Sequence, residues 1–248
     1  MLKRMANLLF LGGMLWTGGL ALATAKTAKS KDPSARGQSF LPTVYYKPRW
    51  ILNQTCRAGS RKELSLLDRQ GQVLLKACRQ VFKSCLLQGS CEVLTSNESI
   101  HLVYAGKGTK DYDEQGHRIA PEIKYRFERH TSQKCLGGTG INGDCLRPFY
   151  SVAADLSLFE IGEVLYIPKL KGMVLPDGQI HDGYVMVQDA GTHIKGTGKM
   201  DFFTGEMDHL HPKNAFARAF RRAHGWTYFR VDTKTANQVR RRFQVAMR

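Results

Sequence analysis

The densest run of reactive side chains is Val187-Gln188-Asp189-Ala190-Gly191-Thr192-His193-Ile194-Lys195-Gly196-Thr197-Gly198-Lys199-Met200-Asp201-Phe202-Phe203. Asp189 closes an apolar, strand-forming stretch and Asp201 begins an aromatic one. The residues between them are rich in glycine and can turn tightly, so the two carboxylates can meet. Asp155, at the end of Val152-Ala153-Ala154, is a third carboxylate at a strand end. Carboxyl groups gathered beside apolar residues suit general acid–base chemistry. Taken alone, an Asp at a strand end is more often a turn former, so the run supplies candidates without naming a reaction.

His209-Leu210-His211, with Asp208, offers metal-ligand residue types, and two His at i and i+2 share one side of a strand. Pro212 follows at once, which favours a loop, and no metal or other cofactor is expected. His181-Asp182-Gly183 reads as a hairpin turn.

Short β-rich runs position these residues. Val44, Tyr45 and Tyr46 are strand formers within 40–47, stopped by Pro48. Ile100–Tyr104 reads as a strand, as do Tyr150–Ala154, Glu163–Ile167 and Tyr184–Gln188, with Gly, Pro and Asp between them. Residues 73–87 fit a helix or two strands, and periodicity does not separate the two. Residues 107–122 read as loop. Pro212 opens an expected helix to about Ala223, with Ala215, Phe216, Ala219, Phe220 and Ala223 on one face and Gly225 as its stop. Trp226–Val231 is a last strand, and Thr235–Arg248 reads as a basic, weakly amphipathic tail. Many short strands with few helices point to a small β-barrel core.

The N-terminus points to export. Lys3 and Arg4 precede an apolar stretch with no charge until Lys26, and Ala23-Thr24-Ala25 supplies small residues for cleavage. This is the pattern of a secretory signal peptide over 1–25. Gly12, Gly13, Gly18 and Gly19 break the apolar run, which argues against a transmembrane anchor, and no later stretch is long enough for a span. Residues 26–38 read as a disordered linker.

The chain has six cysteines, an even number that in an exported protein reads as disulfides. Cys135 and Cys145 flank a flexible Gly-rich segment and are the preferred pair. The pairing of Cys56, Cys78, Cys85 and Cys91 stays open. No CxxC occurs, which argues against zinc. The net charge of +16 implies an anionic partner. An extracytoplasmic location makes nucleic acid a poor candidate and favours peptidoglycan or another anionic envelope polymer. Nothing in the sequence speaks to oligomeric state.

The aspartate-bearing segment resembles the 3D domain, a family named for three aspartates: Gln188-Asp189-Ala190-Gly191, Ile194-Lys195-Gly196 and Asp201-Phe202-Phe203, with Tyr150–Asp155 and Ile161-Gly162 ahead of them. Thr43-Val44-Tyr45-Tyr46-Lys47-Pro48, Gln88-Gly89-Ser90 and Tyr104-Ala105-Gly106-Lys107 extend the likeness, in order, to the MltA family of lytic murein transglycosylases. That resemblance implies a mainly β fold: a double-psi β-barrel core, a second β domain inserted within it, and a glycan groove between them. The MltA-like region would cover 39–232, with a reduced insert at about 50–145, the 3D barrel segment at about 146–232 and the basic tail at 233–248.

The implied reaction cleaves the MurNAc-β-1,4-GlcNAc bond of peptidoglycan without water, leaving 1,6-anhydroMurNAc ends. By position Asp201 matches the catalytic acid/base, and Asp189 and Asp155 the supporting aspartates. Lys195, Gln188, Tyr45, Tyr104, Phe202 and Phe203 are the expected substrate contacts. One carboxyl would protonate the leaving oxygen and then accept the C6 hydroxyl proton. It must therefore start protonated, as burial beside Met200, Phe202 and Phe203 and a neighbouring carboxylate would favour. The chain departs from the family pattern at Ala190, Thr192 and His193, where Thr and Gly are usual. The rival reading is a barrel that binds peptidoglycan without cleaving it.

Overall fold

Apolar residues alternate with exposed ones along the short runs, and these runs are strands. In β1 (Gln38–Tyr45), for example, Phe40 and Pro42 are buried while Leu41 and Thr43 are exposed. The computed structural model describes residues 36–56, 63–108, 117, 120–130, 135, 138–221 and 225–245. The expected signal peptide and most of the expected linker, up to residue 35, lie outside the described residues.

After β1 the chain runs through β2 (Arg49–Ile51), α1 (Leu52–Thr55), β3 (Glu63–Leu67), β4 (Val73–Cys78), α2 (Arg79–Gln88), β5 (Ser90–Leu94), β6 (Ser99–Lys107), α3 (Pro121–Lys124) and β7 (Tyr125–Arg129). It continues with β8 (Ser151–Ala153), β9 (Val164–Tyr166), β10 (Tyr184–Asp189), β11 (Lys199–Phe203), α4 (Ala215–Phe220), β12 (Trp226–Arg230) and α5 (Thr233–Val245). Strands β1-β11-β8-β10-β9-β12 close into a six-stranded barrel, and β2-β5-β6-β7-β3-β4 form a separate six-stranded sheet. This is the mainly β, barrel-centred architecture that the sequence leads one to expect, with a helix at the C-terminus.

β1 closes the barrel because its two halves pair differently: Gln38–Phe40 run antiparallel to β12, and Leu41–Tyr45 run parallel to β11. Inside lies an aromatic core. Phe202 meets Phe216 edge-on at 5.5 Å, and Phe220 meets Trp226 at 4.9 Å, distances that suit T-shaped packing.

The second sheet has its own core, centred on Leu66, Val81, Phe82, Cys85, Cys91, Leu102 and Phe127. Residues 73–87, ambiguous in the sequence, form a strand and then a helix. α2 ends at Gly89, whose φ of +76° is the left-handed conformation that a helix C-terminus favours and glycine adopts without strain. Disulfides Cys56–Cys78 and Cys85–Cys91 staple this sheet to its helices. The chain crosses from barrel to sheet at Tyr46-Lys47-Pro48. There Lys47 N–H donates to Gly205 O at 2.7 Å, Tyr46 N–H to Gln88 Oε1 at 3.1 Å, and Glu92 N–H to Pro48 O at 2.8 Å.

Three local expectations are corrected. The helix expected from Pro212 is α4, which starts at Ala215, because Asn214 caps it by accepting the Ala217 N–H at 3.0 Å while Pro212 sits in the preceding turn. The expected tail is α5: Asp232 accepts the Thr235 N–H and hydroxyl at its start, and Ala236, Val239 and Phe243 are buried against the barrel. Their i, i+3, i+7 spacing is a core-facing stripe on a helix that is otherwise basic. His181-Asp182-Gly183 is not the hairpin turn, since Val174 and Ile180 form the bridge of the hairpin and His181 is fully buried behind it. Among the described residues no helix is long and apolar enough to cross a membrane.

Candidate active site

β8 lies between β10 and β11, and this brings the two carboxylates of the aspartate segment together. Ala153 of β8 is the cross-strand partner of Asp189 in β10 and of Asp201 in β11. On its other edge β11 pairs with β1, so Thr43 stands beside Asp201. The β8–β10 register slips between Val187 and Asp189. Such a bulge re-aims the side chain that follows it, and here that side chain is Asp189.

The environments of the two carboxyls differ. Asp189 Oδ2 accepts the Tyr45 hydroxyl at 3.0 Å and Oδ1 the Ala190 N–H at 2.9 Å. Burial pushes its pKa up, and those two hydrogen bonds oppose the rise by favouring the ionised form. Asp201 is also pushed up by burial, opposed only by the Lys199 charge, and its Oδ1 is buried with no hydrogen-bond partner among the described residues. A buried carboxylate oxygen without a donor is costly when charged. Of the pair, Asp201 is therefore the better proton holder and Asp189 the better anion. Tyr45 is itself held well above the usual tyrosine range by burial and by the Asp189 charge, with Asp201 adding to it. It stays a donor.

Asp155 plays another part. Its Oδ2 accepts the Gly196 N–H at 2.8 Å, and its Oδ1 accepts the Ser157 N–H at 3.1 Å and the Ser157 hydroxyl at 2.9 Å. These bonds, led by that from Gly196, hold its pKa down. An ionised Asp155 thus anchors the 190–198 loop by its backbone. Lys195 in that loop is exposed, with Nζ 3.9 Å from Asp155 Oδ1.

The structure corrects several expected substrate contacts. Phe202 and Phe203 are sealed from solvent. Phe202 faces the barrel core, and Phe203 lies under Tyr45, ring centroids 5.3 Å apart. Gln188 is buried as well; it accepts the Ser151 hydroxyl and so ties β10 to β8. All three are walls of the site rather than its surface. Tyr104 lies in the second sheet, half-buried against Tyr125 and Phe127. Tyr45 is joined to the pair, through the hydroxyl bond to Asp189.

A loop that sequence reasoning treated only as a disulfide candidate backs the site. Cys135 and Cys145 are bonded, and the loop they close docks on β10, where Ile141 N–H reaches Gln188 O at 3.3 Å. A Cβ on Gly140 would lie 2.1 Å from that same carbonyl oxygen, so only glycine fits this approach. Phe149, next along, has φ of +68°. Such strain persists only where the surroundings fix it, and here its N–H donates to Phe203 O at 2.7 Å and its ring meets Phe216 at 5.1 Å. Both features brace the strands that carry Asp189 and Asp201. Neither Ala153 nor Thr43 has a sequence signal, since a small or hydroxyl residue in a strand is unremarkable. The His209–His211 segment is a turn in which His211 Nδ1 accepts the Lys213 N–H at 3.2 Å. Among the described residues no three His, Cys, Asp or Glu gather as a metal would require.

Residues 150–213 match the family model of the 3D domain, which takes in Asp155, Asp189 and Asp201. Among solved structures, Escherichia coli MltA with bound chitohexaose is similar at 15% identity, over 79% of this chain and 72% of that one, with a TM-score of 0.52. A membrane-bound lytic murein transglycosylase from Agrobacterium tumefaciens is similar at 13% identity, over 79% and 75%, with a TM-score of 0.48. No curated protein matches.

Proposed function

We propose that this chain, MltA-like in fold and carrying a 3D domain, is a peptidoglycan lytic transglycosylase with Asp201 as its general acid/base. The observation that carries the reading is the buried, unpartnered Asp201 Oδ1 beside an Asp189 that accepts two hydrogen bonds. Such a carboxyl holds its proton to higher pH than an ordinary one and can give it to a leaving oxygen.

In this mechanism Asp201 protonates the glycosidic oxygen between N-acetylmuramic acid and N-acetylglucosamine. Its carboxylate then takes the proton from the muramic acid C6 hydroxyl as that oxygen closes on C1, giving the 1,6-anhydro end. The proton lost by the acid is regained from the nucleophile, so no water is consumed and no second carboxylate is needed to activate one, in contrast to inverting glycosidases. Burial keeps Asp201 protonated, Tyr45 holds Asp189, and Asp155 fixes the loop that presents Lys195 to a substrate carboxyl or amide oxygen. The glycan would lie between the barrel and the second sheet. The chitohexaose bound by the E. coli protein supports a glycan ligand. The disulfides and the leader-like first 25 residues support export to the cell envelope.

The test is digestion of purified sacculi with mass analysis of the soluble products. Muropeptides ending in 1,6-anhydroMurNAc are expected. Reducing-end products would make the protein a hydrolase, and intact sacculi that nonetheless retain the protein would make it a binding module.

A further inference from the structure

Outside the acid pair, the barrel carries a groove that nothing in the proposed chemistry uses. A cavity of about 660 Å³ is lined by Met173, Val174, Ala215, Arg218, Ala219 and Arg221. A second, of about 270 Å³, shares Val174 and Arg218 with it and adds Leu175, Pro176 and Lys213. The two form one trough between the 173–180 hairpin and α4, with an apolar floor, three cations and no acid in its lining.

The cations are arranged rather than neutralised. Arg218 donates to Pro212 O and Arg221 to His209 O, so carbonyl oxygens aim the guanidinium groups. None of Arg218, Arg221 and Lys213 is in a salt bridge among the described residues. Beside them, large apolar side chains stand exposed on the hairpin and on a neighbouring turn. Val174 is 61% exposed, Ile180 68% and Leu210 67%, values far from those of the core. Val174 and Ile180 form the bridge of the hairpin, and the Arg221–His209 bond places the Leu210 turn against the same trough. Asp177 and Asp208 are the acids of these turns, and each is engaged by backbone N–H groups, of Gln179 and Leu210 respectively.

We propose that this face docks on a lipid bilayer bearing anionic headgroups, with Val174, Ile180 and Leu210 entering the interface and Lys213, Arg218 and Arg221 meeting headgroup phosphates. Exposed apolar side chains flanked by cations in no salt bridge match the layered chemistry of that surface: phosphate outside, hydrocarbon just beneath. Surface binding of this kind would hold the barrel at a membrane without any spanning segment.

Sedimentation with phosphatidylcholine vesicles, with and without phosphatidylglycerol, tests the assignment on the full chain. Binding is expected only to the phosphatidylglycerol vesicles and should weaken with added salt. Each of K213Q, R218Q and R221Q should reduce partitioning by about fivefold. An I180S/L210S double variant should also reduce it while leaving the melting temperature and the sacculus-digestion products of the wild type unchanged. Equal binding to both vesicle types, or binding that K213Q/R218Q/R221Q leaves intact, would overturn the proposal. So would no vesicle binding at all, and retention on an acidic peptide resin lost in the same triple variant would then give the face to a protein partner.

Discussion

Asp189 and Asp201 stand opposite one and the same residue, Ala153, from the two edges of β8. The backbone of the barrel thus fixes their separation, and nothing larger than a methyl group stands on the strand between them. Tyr45 senses both: it is hydrogen-bonded to Asp189 and electrostatically coupled to Asp201. A nine-residue loop, 190–198, joins the strands that carry the two aspartates, but sheet pairing, not the loop, sets their geometry.

Asp201→Asn keeps shape and removes the transferable proton. Turnover of sacculi should fall by about 10²–10⁴-fold while binding persists. The wild-type rate should be high where Asp201 is protonated and fall as pH rises through its raised pKa. Stability should move the same way. With a folded pKa above the unfolded value, the folded state loses stability as pH rises past the ordinary carboxylate range. Asp201→Asn therefore melts higher than wild type at neutral pH, by about 2–4 °C for each kcal/mol relieved in a chain of this size. A variant that is inactive and also less stable at neutral pH would show that Asp201 is a structural ion.

Tyr45→Phe keeps the ring over Phe203 and removes the hydroxyl from Asp189. A hydrogen bond to a charged group is worth about 1.5–3 kcal/mol, and losing it makes ionised Asp189 less favourable. A kcat loss of about tenfold is expected, with KM little changed and the acidic limb of the pH–rate profile moved to higher pH. A rise in KM alone would make Tyr45 a substrate contact instead.

The sequence made the barrel strands legible because each is a short β-rich run cut by Gly, Pro or Asp. It made the aspartates legible because they sit where those runs begin or end. It could not show that Phe202 and Phe203 are sealed in, since an aromatic beside a candidate acid looks the same whether it faces core or ligand. That depends on Tyr45, about 160 positions away, lying over Phe203. α5 reads as a tail because Lys234 and the run Arg240–Arg242 make it basic, while its buried stripe rests on Ala236, Val239 and Phe243. The role of Asp155 as a loop anchor lies in bonds to backbone N–H groups, which no residue type announces.

The disulfide loop behind β10 gives a separate test. Cys135→Ser, Cys145→Ser and the double variant should lose the same stability, about 2–4 kcal/mol, because each opens one crosslink. Gly140→Ala keeps the crosslink but drives a Cβ into Gln188 O, one residue before Asp189. It should cost about 1–3 kcal/mol, as overpacking does, and it should slow turnover at temperatures where the fold is intact. Denaturant melts and initial rates on the same samples separate the two effects. Full activity in Gly140→Ala would mean the loop does not position Asp189.

His181 makes acid stability a property of the barrel. Its Nδ1 accepts the Gly183 N–H at 2.9 Å, so Nε2 carries the proton and donates to Phe149 O at 2.9 Å. Both ring nitrogens are used by the neutral tautomer, and the ring stacks on Tyr150 at 4.5 Å. Burial holds the pKa below the usual histidine value, with Arg147 acting in the same direction and the Phe149 carbonyl and Asp182 opposing it. In the unfolded chain His181 binds a proton near pH ~6.5, and in the fold it does so only at lower pH. Stability is therefore undiminished by this group above that value and is lost as pH falls from it toward the folded pKa. The ring packs under Phe149, whose strained backbone braces β11, so the same protonation should loosen the strand that carries Asp201. Wild-type melting temperature should drop between about pH 7 and about pH 5 more steeply than that of His181→Gln, which has no titrating ring. The variant should be the less stable of the two at neutral pH, where the ring's bonds and stacking are intact in the wild type. Parallel slopes for the two proteins across that range would remove His181 from the account and leave the acid sensitivity to other groups.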